Sequence, residues 1–289
     1  MDNLRGAAWM TAAMLGFALE DMLIKLLSNS LPTWQIIAFL GLGGAIVFGL
    51  WVRVRGQILF PRAALTSVVV LRNTGELVGT LGFVTALALI PISTASAVLQ
   101  ATPLVVTLGA AVFLGEAVGW RRWAAILVGL SGVLLVIRPG LEGFDLNSLF
   151  AVQAVLGLAL RDLATRRVPP AVSSLQLSFL AFLILVPAAG LLAALTKAPV
   201  VLPQGSDWVL IVGVVVMGVM AYYAIVAAMR LGEISFVTPF RYSRILFALI
   251  VGAVIFGERP DTLMLVGAAL IVGSGLFTLW RERKIAVAV

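Results

Sequence analysis

Ten apolar runs fill this chain almost end to end, at residues 5 to 27, 33 to 52, 64 to 88, 92 to 114, 121 to 137, 146 to 165, 173 to 195, 207 to 229, 234 to 256 and 261 to 280. A helix needs about 20 apolar residues to cross the hydrocarbon of a bilayer. In lipid, each crossing segment must satisfy its own backbone hydrogen bonds. The pattern therefore predicts an all-α membrane protein with ten transmembrane helices. Pro32, Pro61, Pro91, Pro139, Pro169, Pro170, Pro199, Pro203 and Pro260 fall at the joins, where proline ends helices. With 62% hydrophobic and 11% charged residues in 289, the chain is far from the roughly 25% charge of a soluble domain. Short connections leave no room for a domain outside the membrane.

The sequence holds no cysteine and no histidine. Disulfides, thiolate metal sites, the commonest metal ligand and the usual neutral-pH proton shuttle are thereby removed. No catalytic set, metal or cofactor is expected, and the chain reads as a non-enzyme. Residues Met1 to Arg5 resemble the start of a signal peptide. Glu20 and Asp21 interrupt the apolar run that follows, and no small-x-small site comes after it, so the segment reads as an uncleaved first span.

A net charge of +7 and a pI near 10.8 do not indicate nucleic acid, because the basic residues are scattered at the ends of apolar runs. With ten spans and a cytoplasmic N-terminus, thirteen Arg and Lys residues fall inside, from Arg5 and Arg53 through Arg161 and Arg230 to Lys284. Only Lys25, Arg138, Lys197 and Arg259 fall outside. By the positive-inside rule both termini are cytoplasmic. The expected location is the cell inner membrane, with the lipid bilayer as partner and multiple passes through it. Trp9, Trp34, Trp51, Trp120, Trp123, Trp208 and Trp280 lie near span ends, where indole rings favour the headgroup layer.

The chain also repeats itself. Ala13 to Asp21 matches Ala154 to Asp162 at an offset of 141, and Gln35 meets Gln176 at the same offset. Val84 to Glu116 meets Val226 to Glu258 at an offset of 142, with ten identities in 33 positions. Five spans per copy force the halves, residues 1–143 and 144–289, into opposite orientations. Inverted repeats of this kind are a transporter architecture with the substrate site near the midplane.

The stretch Ala95 to Pro103, continuing through Phe113-Leu-Gly115-Glu116 to Gly129-Leu-Ser131-Gly132, resembles the EamA repeat of the drug/metabolite transporter superfamily. A second copy runs from Thr238-Pro239-Phe240-Arg241-Tyr242 through Gly257-Glu258 to Gly273-Ser274-Gly275. The resemblance covers nearly the whole chain. It implies a secondary transporter of small metabolites, similar in length and layout to YddG-type exporters of amino acids. The Pro-Phe-Arg-Tyr-Ser-Arg run is also similar to relatives that take up nucleoside-like or vitamin metabolites. Export of amino acids by alternating access is thus the leading expectation, and an inward permease for a vitamin or nucleoside-type metabolite is its alternative. A membrane-embedded enzyme is a third reading, opposed by the missing His and Cys.

A charge inside the bilayer costs about 2.5 to 3.5 kcal/mol on insertion scales, so each interior one needs a partner or a wet cavity. Arg72, Asn73 and Glu76 lie roughly 12 to 18 Å from the inner boundary at 1.5 Å per residue. Arg72 and Glu76, four apart, can share one face. They would either line a substrate cavity or form an ion pair that fastens helices. Arg241 and Arg244 lie at similar depth beyond Pro239; one would bind a substrate carboxylate and the other pair with Glu76 or Glu20. Glu20, Asp21 and Lys25 sit toward the outer end, and Asp162 toward the inner end. Glu20, Asp21 and Asp162 are gate or coupling candidates, with proton coupling possible at Glu20, Asp21 or Glu76.

Gln100, Gln176, Tyr222 and Tyr223 are softer candidates for hydrogen bonds and walls; Gln100 and Tyr222 join the substrate-binding set with Arg72, Asn73, Glu76, Arg241 and Arg244. Counting Arg72, Arg241 and Arg244 against Glu76, the midplane is cationic and favours a small-molecule substrate with a carboxylate. Pro103 and Pro187 predict kinks. Gly41, Gly43, Gly44, Gly129, Gly132, Gly273 and Gly275 predict helix-packing faces.

Overall fold

The computed structural model describes residues 2–115, 119–141, 144–231 and 234–287. Among the described residues the structure is helical and contains no strand. Its elements are α1 (Asp2–Leu27), α2 (Thr33–Val54), a 3-10 turn (Arg62–Leu65), α3 (Ser67–Leu89), α4 (Ile92–Leu99), α5 (Thr102–Leu114), α6 (Trp120–Ile137) and α7 (Ser148–Thr165). There follow α8 (Ser174–Leu183), α9 (Leu185–Thr196), α10 (Ser206–Leu231), α11 (Ile234–Val237), a second 3-10 turn (Thr238–Tyr242), α12 (Ser243–Ile255) and α13 (Thr262–Val287).

Eight helical stretches are long and apolar enough to cross a membrane. The first and third expected spans are continuous helices as well, α1 of 26 and α3 of 23 residues. Their polar residues, among them Glu20, Asp21, Arg72 and Glu76, lower their average hydropathy. Leu42, Ile46, Leu50, Val209, Val212 and Val254 stand exposed on outward helix faces, as an apolar solvent requires.

Three expected spans are broken. The fourth breaks between α4 and α5, immediately before Pro103, which lies in the first turn of α5. Proline has no N–H to give the carbonyl four residues back. That carbonyl, on Leu99, is taken instead by the Thr102 hydroxyl at 2.7 Å. The seventh breaks at Ile184, between α8 and α9, three residues before Pro187. The ninth tightens into the 3-10 turn that carries Pro239 and Arg241.

Helix pairing follows the duplication. The long helix α1 packs along α10, and its repeat-mate α7 packs along α3, the mate of α10. Of the other pairs, α2 with α8 and α9, α6 with α13, and α4 with α12 join an element to its own counterpart, while α5 packs on α7 and α12 on α1. Glycines set the closest approaches. A Cβ at Gly157 would run into the Gly79 nitrogen, and one at Gly16 would lie 3.0 Å from the Ala221 Cβ. Gly132 and Gly267 each face the other's carbonyl. Gly41 and Gly44 receive the Phe182 region, Gly43 receives Val215, Gly129 receives Leu104 and Ser274, and Gly275 receives the Tyr242 ring. Gly273 departs from the expected packing role, since a Cβ there would meet open space: its side of α13 faces away from α6.

Gly115 and Gly257 end helices with positive φ of 69° and 63°, the left-handed conformation glycine adopts without strain. Glu116 lies outside the described residues. Its counterpart Glu258 caps α4: the Ile92 and Ser93 backbone N–H groups donate to its carboxylate at 2.6 and 3.0 Å, and the Ser93 hydroxyl donates at 2.6 Å. A carboxylate at a helix N-terminus satisfies orphan donors and complements the helix dipole.

Candidate functional site

A cavity of about 420 Å³ opens between the helices. Its polar lining comes from α1 (Glu20, Asp21), α3 (Arg72, Glu76), α7 (Arg161, Asp162), α10 (Tyr222), the segment between α4 and α5 (Gln100), the second 3-10 turn (Arg241) and α12 (Arg244). The gate candidates thus share one chamber with every substrate-binding candidate except Asn73. Glu20, Asp21 and Asp162 were expected near opposite ends of the protein; the lengthwise pairing of α1 with α10 and of α7 with α3 brings all three into it.

Two ion-pair groups organise the chamber. In the first, Arg72 Nη2 lies 3.2 Å from Glu76 on its own helix. Arg161 Nη1 reaches the other Glu76 oxygen at 3.4 Å and its Nη2 lies 2.8 Å from Asp162. Arg72 also donates to the Tyr222 hydroxyl at 3.0 Å and to the Asn73 side-chain oxygen at 3.0 Å. In the second, Arg244 grips Asp21 through Nε and Nη2. The guanidinium of Arg244 lies between the Phe17 and Phe83 rings, 5.1 and 5.0 Å from their centroids, a distance at which ring faces attract cations.

Several expectations change here. Arg244 pairs with Asp21 rather than with Glu76 or Glu20, because α12 packs on α1. Asn73 is absent from the cavity wall and serves Arg72 from behind. Gln100 lines the cavity and donates to the Arg241 backbone carbonyl at 3.1 Å, holding α4 to the 3-10 turn. Gln176 lies elsewhere: it completes a capping box with Ser173 and donates to the Ile58 carbonyl. Its repeat-mate Gln35 does the matching work on Val201. Tyr223 points away from the cavity and meets the Trp9 and Trp51 rings.

The charge balance also changes. Arg72, Arg161, Arg241 and Arg244 face Glu20, Asp21, Glu76 and Asp162, four cations against four acids. The formal count in the lining is thus four cations against four acids, where the sequence count of Arg72, Arg241 and Arg244 against Glu76 is three against one. Arg161 reads in the sequence as a boundary charge. Only its place beside the duplicated aspartate hinted at more, and the close α7–α3 contact turns it onto Glu76.

An aromatic wall faces these charges. Phe182 and Tyr222 line the cavity and meet edge to face at 5.8 Å, and both contact Phe48 behind them, at 5.5 and 5.8 Å between centroids. A chamber of this size with apolar walls and a few convergent polar groups is the usual form of a small-molecule site. Among the described residues no group of three or more Asp and Glu side chains is arranged to hold a metal ion.

The sequence profile of the EamA-like transporter family matches residues 4–138 and again 146–280. The chain belongs to this family of multi-pass membrane transporters. Among characterised proteins it is 31% identical to a riboflavin transporter of Vibrio cholerae, over 97% of this chain and 95% of that one. It is 24% identical to an S-adenosylmethionine uptake transporter of Rickettsia felis, over 97% and 94%. It is 28% identical to the pseudopaline exporter CntI of Pseudomonas aeruginosa, over 89% of each chain. A solved crystal structure superposes with a TM-score of 0.59 at 22% identity, covering 94% of this chain and 98% of the other, and shares its fold. Membership of the EamA-like family agrees with the motif resemblance, whereas the names of these relatives do not support amino-acid export.

Proposed function

We propose that this chain is an inward permease for a vitamin- or nucleoside-type metabolite carrying a planar heteroaromatic ring. The observation that carries this reading is the chamber itself: Phe182 and Tyr222 offer ring surface on one side, and a charge-balanced set of hydrogen-bonding groups faces them. A ring compound with several hydrogen-bonding groups suits a chamber whose lining holds both arginines and carboxyl groups. The relatives named for riboflavin and S-adenosylmethionine support the same class, and both carry fused heteroaromatic rings.

The protein sits in the inner membrane as ten crossing helices with both termini cytoplasmic, its halves 1–143 and 144–289 inverted relative to each other. In that orientation the cavity reaches toward the cytoplasm at Thr165 and Ser174. The outer side is held shut where Lys25 donates to the Leu87 and Ile90 carbonyls at 3.1 and 2.6 Å and Glu258 caps α4. This is an inward-facing state, and transport alternates it with a state open outward.

Uptake of radiolabelled riboflavin, S-adenosylmethionine and a set of amino acids into cells expressing the protein tests the proposal. Accumulation of a ring compound, competed by other ring compounds, is expected. Efflux of amino acids with no ring-compound uptake would overturn it.

A further inference from the structure

The duplicated scaffold carries an ion pair on one side and only half of one on the other. Arg161 and Glu20 occupy the same repeat position at an offset of 141, and Glu76 and Gly218 occupy the same position at 142. Across the α7–α3 contact, Arg161 meets Glu76 at 3.4 Å. Across the equivalent α1–α10 contact, Glu20 meets Gly218: its Oε1 lies 2.7 Å from where a Cβ at 218 would stand. The acid on α1 therefore faces a position on α10 that holds no side chain.

Glu20 is 7% exposed and lines the cavity. Asp21, Glu76 and Asp162 each touch an arginine. Among the described residues no ion pair or hydrogen bond engages the Glu20 carboxylate, and Arg244, the nearby cation, is held by Asp21. A buried carboxyl group with no hydrogen-bond partner of its own either keeps its proton or accepts from a donor that enters the cavity.

We propose that Glu20, lying over Gly218, is the subsite that recognises N–H groups of the cargo, whether on a heteroaromatic ring edge or on an amine. Tyr222 lies one helical turn along α10 from Gly218, and Leu40 closes the floor beside it. Phe182, Tyr222 and Glu20 line the same cavity, so a ring held against either aromatic side chain shares that space with the Glu20 carboxyl. The carboxylate accepts from an N–H of that ring as Glu76 accepts from Arg161 on the other side.

This rests on the permease reading for its ring ligands, so the test includes a pair outside it. Binding to the purified protein in lipid nanodiscs is measured for riboflavin against N3-methylriboflavin, adenosine against N6,N6-dimethyladenosine, and phenethylamine against N-acetyl-N-methylphenethylamine, each second member lacking the N–H of the first. The wild type is expected to prefer the N–H or amine member of each pair it binds by roughly ten- to hundredfold, the scale of a hydrogen bond to a charged group. Glu20→Gln should shrink that preference and Glu20→Leu erase it, with melting temperatures recorded to exclude misfolding. Gly218→Ala, which crowds Glu20 while leaving its charge, should weaken the same members. Preferences unchanged in both Glu20 variants, or a wild type that binds none of the six compounds, would overturn the subsite. So would binding in which Glu20 exchanges a proton with pH yet discriminates within no pair. Failure of the two ring pairs alone, with the amine pair behaving as expected, would overturn the heteroaromatic reading and leave the subsite standing.

Discussion

Arg244 holds Asp21 across the cavity with Nη2 at 2.9 and 2.8 Å from the two carboxylate oxygens and Nε at 3.2 Å from one of them. This two-pronged grip joins α12 to α1 and fixes the guanidinium between two phenyl rings. Removing one member of such a buried pair costs about 3 to 5 kcal/mol, because the other is left uncompensated, whereas removing both costs much less. Arg244→Ala should therefore lower the melting temperature and abolish transport. The double variant Asp21→Asn with Arg244→Gln should recover most of the stability and none of the transport. Thermal melts in detergent together with a proteoliposome assay check this; equal destabilisation by the single and double variants would refute it.

Tyr222 accepts a hydrogen bond from Arg72 and supplies ring surface. Tyr222→Phe keeps the ring and removes the acceptor. A bond to a charged donor contributes about 1.5 to 3 kcal/mol, but Glu76 still holds Arg72. A rise in transport KM of several-fold with the melting temperature nearly unchanged is the expected result. Tyr222→Leu should lose transport outright, and wild-type kinetics in that variant would remove the ring from the site.

Glu258 holds the start of α4 through three hydrogen bonds. Glu258→Ala frees those donors and should loosen closure beside Pro91. A cysteine placed at Thr94, introduced into this naturally cysteine-free chain, should react faster with a membrane-impermeant thiol reagent in Glu258→Ala than in its Glu258 parent. An unchanged rate would mean that closure depends on other contacts.

Gly157 lies against Gly79 with no space for a methyl group, whereas Gly16 meets Ala221 at a distance a methyl nearly tolerates. Overpacking costs about 1 to 3 kcal/mol. Gly157→Ala should reduce folded yield and melting temperature clearly more than Gly16→Ala. Equal effects would show that the two sides of the duplication are equally tight.

At the end of α6, the Arg138 guanidinium donates to Asp261, which also accepts from the Met264 backbone N–H at the start of α13. The hydrogen bond from Arg138, with that from Met264, holds the Asp261 carboxyl below the usual aspartate range. A folded pKa below the unfolded one stabilises above the unfolded value, about pH 4, and the benefit disappears as pH falls through the folded value. Asp261→Asn should therefore lower the melting temperature slightly near neutrality and less as the solution is acidified through that range. The carboxylate is half exposed, so the effect is small. A difference that grows on acidification would contradict the assignment.

The helical class and the duplication were legible because apolar run length and repeat offsets depend on the chain alone. Arg72, Glu76, Arg241 and Arg244 were legible as interior charges because depth along a span is arithmetic. Their partners were not. Whether Arg244 meets Asp21 or Glu20 depends on which face of α1 turns to α12, and whether Arg161 or Arg241 meets Glu76 depends on which helices lie side by side. That choice is made by contacts such as Gly157 on Gly79, which a residue list does not pair. Phe17, Phe83 and Phe182 were invisible as wall residues for the same reason, being three among 15 phenylalanines in an apolar sequence.

Gln35, in the first copy, clasps the Val201 backbone in the second, while Gln176, in the second copy, clasps the Ile58 backbone in the first. With α1 seated on α10 and α7 on α3, each copy is fastened to its sibling more extensively than to itself. A unit made of α1 with α10, or of α7 with α3, is therefore a mosaic of both copies. The peptide joining α6 to α7 is then a dispensable thread: two fragments made separately in one cell would still have every clasp with which to recognise each other and rebuild the carrier.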